Sequence, residues 1–205
     1  MIRKIVFLYA VAGLAAFSLD AAEKSAFPLK VSDNHRYLTD QQGGPFLVHG
    51  ESSWEIVWML TKEETSEYFA KRAEQGFNAT LFNILPDTDK PHTTNRDGVD
   101  AFRNPLDFTT ANGAYFDHAE WVVAEAGRHG MAAFIFPCYL GINTSWIDEL
   151  HANGREKSAA YGRFLAERFR KYPNVVWIMG GDRDPEYAME EHAALAEIEI
   201  GRAHV

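Results

Sequence analysis

The residues Gly180-Gly181-Asp182-Arg183-Asp184 directly follow the apolar run Val175–Met179. Two glycines after a strand let the chain turn sharply with no Cβ in the way, which leaves Asp182 at the strand mouth with its carboxylate toward a ligand. A carboxylate there can give or take a proton during bond cleavage. Asp182 can also be read as the cap of a helix starting near Pro185, although Asp184 is better placed for that. Arg183 is read as an ion-pair neighbour of Asp182 or as a scaffold residue.

A second group, Gly50-Glu51-Ser52-Ser53-Trp54, follows the apolar run Phe46–Val48. A carboxylate, two hydroxyls and an indole bind sugars well: the polar groups meet hydroxyls, and the aromatic face meets the apolar side of the ring. Trp54 serves equally as such a platform or as a packing residue, whereas Trp58 reads as core. Asn83 and Tyr139 close two further apolar runs, so Glu51, Trp54, Asn83, Tyr139 and Asp182 all fall at strand ends. His49 is the histidine placed to touch a substrate, because it borders the first of those ends. His118 and His129 fall on a helix and read as structural or exposed.

Other chemistries find less support. The histidines show no paired metal-ligand spacing and no His-Glu-x-x-His, so no metal and no cofactor is expected. No Gly-x-Ser-x-Gly elbow is present, which weakens serine hydrolysis. The lone Cys138 reads as a small buried residue near a strand end. With 20 basic against 29 acidic residues the net charge is −9, which argues against nucleic acid as a partner. At 205 residues, 46% hydrophobic and 24% charged, the chain is neither a disulfide-stapled miniprotein nor a disordered one.

The elements that must position these residues alternate. A small N-terminal β-hairpin is expected over Leu29–Val48, turning at Asp40–Gly44. Thr61 and Glu64 form a capping box that opens a helix, and Gly76 ends it. Strand Asn78–Asn83 follows, then a long polar loop from Leu85 to Asn112. A helix over Tyr115–His129, strand Met131–Phe136, a short helix at Trp146–Leu150, a long helix over Arg155–Tyr172 and strand Val175–Met179 complete the series. The strands are too continuously apolar for one wet face, which predicts a parallel sheet covered by helices. No Gly-x-Gly-x-x-Gly follows the first strand, so a dinucleotide fold lacks its usual support. The clustering of polar and aromatic residues after each strand favours an α/β chain of the (β/α)8 TIM-barrel type, with only the first four β/α units present.

Both ends read differently from the middle. Met-Ile-Arg-Lys followed by an apolar run to Leu19 and small residues near Ala21–Ala22 predicts a signal peptide over residues 1–22. The chain is then expected to be secreted or periplasmic, with no membrane association after cleavage. The final residues Glu199–Val205 match the translation of a common sequencing-adapter start, AGATCGGAAGAGCACACGTC. Residues 199–205 are therefore expected to be a non-native tail, leaving 23–198 as the N-terminal half of a barrel.

Several segments carry a family resemblance. Phe46–Trp54 followed by Leu60–Glu64, then Arg72–Asn78, Tyr115–Val122 and Pro173–Asp182, resemble the apiosidase-like glycoside hydrolases in order and spacing. The resemblance implies a (β/α)8 barrel that hydrolyses plant cell-wall oligosaccharide or polysaccharide, including apiose side chains of pectin. It implies Asp182 as a catalytic carboxylate, the acid/base of a two-carboxylate mechanism, with its partner on a later strand outside this chain. The chain as it stands is then expected to have little or no hydrolytic activity. One departure is that members usually carry Gly-Asp-Thr-Ala-Trp where this chain has Gly50-Glu51-Ser52-Ser53-Trp54. The rival reading is a non-catalytic carbohydrate-binding protein on the same scaffold.

Overall fold

The computed structural model describes residues 26–86, 94–141 and 146–182. The expected signal peptide, Arg183, Asp184 and the expected tail lie outside the described residues.

The chain opens with a small antiparallel sheet of three short strands, β1 (Lys30–Val31), β2 (Leu38–Thr39) and β3 (Pro45–Phe46), in that order. The turn between β2 and β3 is held by Asp40, whose carboxylate accepts from the amides of Gln42 at 2.9 Å and Gly44 at 2.8 Å. The expected hairpin is thus present, with β1 added to it. Leu47 and Val48, expected to extend it, lie outside the strands and are exposed. Phe27 is buried with Ala79 and Ala132 and is joined by Phe46, so the small sheet packs against the first residues of two strands of the main sheet.

The main sheet is parallel, in the order β4 (Gly50–Ser52), β5 (Ala79–Asn83), β6 (Ala132–Phe136) and β7 (Val175–Trp177). Its first strand begins at Gly50, two residues beyond the end of the apolar run expected to supply it. Register aligns Glu51 with Thr80 and Ala133, and Ser52 with Leu81 and Phe134. Because side chains alternate across a strand, these two rows face opposite sides of the sheet. Ala133 and Ile135 belong to the large core shared with the helices, so the Glu51 row faces the helix layer.

The helices follow their end signals. Helix α1 (Ile56–Met59) is a single turn that buries Ile56, Val57 and Trp58. Helix α2 (Lys62–Glu74) starts in the complete capping box of Thr61 and Glu64, and Gly76 follows it at φ +84°. Helix α3 (Gly113–Arg128) is capped by Asn112 and stopped before Gly130, at φ +71°. Helix α4 (Ile147–Phe169) is divided at Gly154, at φ 68° and ψ 177°, into the short and the long helix expected there. The Asn174 carboxamide donates to the carbonyls of Val123 at 3.0 Å and Met131 at 3.2 Å, tying the approach to β7 to α3 and β6.

The connection after β5 is not the polar loop its composition predicts. Ala101, Phe102 and Phe108 are buried, and the Phe102 ring meets those of Phe116, Trp146 and Tyr161 at 5.6–6.5 Å. Asn153 of α4 accepts from the Phe108 amide at 2.9 Å and donates to the Leu106 carbonyl at 2.8 Å. A few apolar residues among many polar ones thus fasten the loop to α3 and α4 as part of the core.

His118 on α3 is buried and stacked on Trp121. Burial holds its imidazole below the usual 6.5; the Asp97 carboxylate opposes this and the Lys62 ammonium reinforces it. The folded chain therefore binds fewer protons at this group than the unfolded chain. Its contribution is fully present above about pH 6.5 and is lost as pH falls toward the lowered folded value. Urea midpoints are expected to drop between about pH 7.5 and about pH 5.5, and His118→Asn is expected to flatten part of that drop.

Candidate functional site

The segment after β4 turns inward and is held there by backbone bonds. The Ser53 amide donates to Leu81 O at 2.9 Å, and the Asn83 amide donates to Trp54 O at 3.2 Å. The buried turn of α1 anchors the far side. Trp54 is left half-exposed, its ring stacked on Phe136 at 5.8 Å and tilted against Tyr139 at 5.2 Å. The Ser53 and Thr80 hydroxyls are bonded at 2.6 Å, so Ser53 is already engaged.

Tyr139 and Asp182 come together because their backbones do. Tyr139 bridges Gly180 in parallel fashion, and the Leu140 amide donates to Gly180 O at 3.0 Å, continuing the β6–β7 pairing past the strand ends. Gly180 has φ +118°, and a Cβ on Gly181 would lie 2.4 Å from the Leu140 carbonyl oxygen. Both glycines are therefore demanded by the turn, as their spacing implied. The chain emerging from it carries Asp182, which is exposed and accepts a 2.6 Å hydrogen bond from the Tyr139 hydroxyl.

Trp54, Asn83 and Tyr139 line one open pocket of about 580 Å³, with Glu55, Met59, Leu60 and Tyr68 among the other walls. Asp182 stands beside it through its bond to Tyr139. Asn83 is 4% exposed, and its Oδ1 has no hydrogen-bond partner. The mixture of one aromatic platform, an amide and flanking carboxylates can hold a sugar ring and exchange a proton with it.

Two expected site residues stand elsewhere. Glu51 lies within β4 in the row facing the helices, and the Tyr68 hydroxyl of α2 donates to its carboxylate. The Arg72 guanidinium covers the Tyr68 ring at 4.9 Å. Glu51 thus fixes a pocket wall from behind; the apolar run before it ends too early to count as the strand, which is why it read as a strand-end residue. His49 precedes β4 and lies at the opposite end of the sheet. Its Nδ1 lies 3.0 Å from Gly76 O and its ring stacks on Phe77. It sits with the residues that enter β5, away from the pocket.

Sequence reasoning missed Glu55, Met59, Leu60 and Tyr68 as pocket walls. Glu55, Met59 and Leu60 closely follow Trp54 in sequence, which was the available signal, whereas Tyr68 comes from the next helix. Cys138 is buried, and burial pushes its thiol well above the ordinary range, which fits an inert packing role. Among the described residues there is no group of three side chains suited to holding a metal.

Comparison with known proteins supplies the family. A family model described as the apiosidase-like catalytic domain matches residues 32–203. The chain belongs to the apiosidase-like family. A glycoside hydrolase of family 5 from Bacteroides vulgatus superposes with a TM-score of 0.74 at 27% identity, over 86% of this chain and 38% of that one. A structure described as a glycoside hydrolase gives 0.74 at 26% identity, over 89% and 42%. The endo-1,4-β-mannanase from Rhizomucor miehei shares the fold alone, with a TM-score of 0.54 at 9% identity over 72% and 46%. The chain spans less than half the length of each of these structures. No curated protein matches it.

Two substitutions test this geometry. Gly181→Ala must move the Leu140 backbone, and is expected to cost about 1–3 kcal/mol in urea denaturation. Glu51→Ala is expected to cost about 1–3 kcal/mol, because it strips the partner from the Tyr68 hydroxyl. Burial and, second, the Glu51 bond hold the Tyr68 phenol above its usual value. Removing Glu51 should therefore lower that value in an ultraviolet absorbance titration, read as a difference against Tyr68→Phe.

Proposed function

We propose that this chain is the first half of a (β/α)8 barrel glycosidase acting on plant cell-wall oligosaccharide or polysaccharide, with Asp182 as its acid/base. The observation that carries this reading is the Tyr139–Asp182 hydrogen bond of 2.6 Å beside a pocket platformed by Trp54. Membership of the apiosidase-like family and likeness to glycoside hydrolases support it.

In this mechanism Trp54 takes the apolar face of a sugar ring and Asn83 orients its hydroxyls. Asp182, protonated, donates to the leaving oxygen as the glycosidic bond breaks and positive charge grows on the ring. Tyr139 then steadies the carboxylate that is left, since its hydroxyl donates to the oxygen bearing the new charge. The second carboxylate, which attacks the ring or activates water, comes from a later strand beyond this chain. The 205-residue chain therefore binds sugar but does not cleave it. Export through the N-terminal segment, to the periplasm or the medium, completes the proposal and fits an insoluble or extracellular substrate.

The test uses both forms of the protein. Asp182→Asn in a protein carrying the whole barrel is expected to lower turnover of an aryl glycoside by on the order of 10²–10⁴-fold while retaining binding. The 205-residue chain is expected to give no turnover. Turnover by the short chain, or unchanged turnover in Asp182→Asn, would overturn the assignment. Absence of turnover in the unaltered whole barrel, with binding kept, would favour a carbohydrate-binding protein.

A further inference from the structure

The pocket is furnished with hydrogen-bond acceptors and negative charge. Glu55 contributes a carboxylate to its wall, and Asp182 stands beside it through Tyr139. The Glu51 carboxylate lies behind Tyr68, and its Oε1 is buried without a partner. Asn83, also on the lining, is 4% exposed, and its Oδ1 is buried without a partner. No Lys or Arg lines this pocket among the described residues; Arg72 is placed over the Tyr68 ring, and its Nε is itself buried without a partner.

From these groups we infer that the pocket selects a neutral sugar over its uronate counterpart, with Asn83 Oδ1 accepting a hydroxyl proton of that sugar. This rests on the carbohydrate reading above and narrows its substrate class. An unpaired buried acceptor costs the free protein roughly 1–3 kcal/mol, which a donor arriving with the ligand recovers. The oxygen itself is covered. The χ2 torsion of asparagine is broad, so the carboxamide can turn the oxygen toward the cavity without leaving a staggered well at χ1. A sugar hydroxyl supplies the donor, and the carboxylates around it accept from neighbouring hydroxyls.

A uronate brings the opposite chemistry. Its carboxylate offers no proton at neutral pH, and it enters a field set by Glu55 on the wall and Glu51 behind Tyr68. Like charges in a partly enclosed site repel more strongly than in water. The apolar remainder of the wall, Trp54, Met59 and Leu60, stacks on a ring but does nothing for an ionised group.

The test uses the 205-residue chain and a panel of methyl glycosides, each neutral sugar paired with its uronate. Binding is read by the change in tryptophan fluorescence and by saturation-transfer NMR. The neutral member of a pair is expected to bind about tenfold tighter, equivalent to about 1.4 kcal/mol. The gap should narrow at about 1 M salt, where the Debye length is about 3 Å. Asn83→Asp keeps the acceptors and should retain neutral-sugar binding within a few-fold, whereas Asn83→Ala should lose most of it. Circular dichroism of each variant establishes that it is folded before its affinity is compared.

A uronate bound as tightly as its neutral partner, or a gap unmoved by salt, overturns the charge argument and leaves the glycosidase reading standing. Loss of neutral-sugar binding in Asn83→Asp as complete as in Asn83→Ala means the carboxamide acts as a donor, and overturns the assigned contact. Failure of the unaltered chain to bind any sugar of either class overturns the carbohydrate reading, and this inference with it.

Discussion

The close approach of two backbones, at Tyr139–Leu140 and at Gly180–Gly181, is the constraint on which the site depends. Parallel pairing formally ends at Trp177, yet the two chains stay together for several residues past it because Leu140 donates to Gly180. That extension leaves no room for a side chain at Gly181. It also sets the distance between the Tyr139 hydroxyl and Asp182, since both side chains leave from backbones already in contact. The Tyr139 ring in turn stands against Trp54 and Phe136, so one backbone junction fixes carboxylate, platform and wall together. A site built this way is ordered before any ligand arrives, and less conformational entropy is lost on binding.

Alternation across the sheet distributes the remaining roles. Within Gly50–Trp54, odd and even positions face different neighbours: Glu51 meets the helices, whereas Trp54 turns into the pocket once the strand has ended. One carboxylate thereby becomes a brace for Tyr68, while Asp182, beyond its strand, remains exposed. Identical chemical groups at nearby ends of one sheet take different work from the side of the backbone they leave.

Much of this could be read from residue order. The capping box at Thr61 and Glu64, the stops at Gly76 and Gly130, and the central strands β5 and β6 follow from local signals that act within one turn or one strand. The glycine pair before Asp182 was legible for the same reason. What could not be read depends on contacts distant in the chain. The first strand was placed too early because Phe46 has a partner in the small sheet, which no local pattern reveals. His49 and Glu51 were misplaced in consequence, as both were assigned relative to that strand. The polar composition of the segment between β5 and α3 hid Phe102 and Phe108, whose burial is decided by Trp146 and Tyr161 much later in the sequence.

The described parts of that segment are tied down at more than one point. Asn153 grips it at Leu106 and Phe108, the Trp146 indole donates to Pro86 O at 2.9 Å, and the Tyr115 hydroxyl donates to Ile84 O at 2.8 Å. Both its root and its middle are fastened to helices that also carry the sheet. Around Ile84 and around Leu106–Phe108, amide hydrogens are expected to exchange together with those of α3 and α4, as one cooperative unit. Damage to α3 or α4 would therefore loosen these two stretches before any residue of their own had changed.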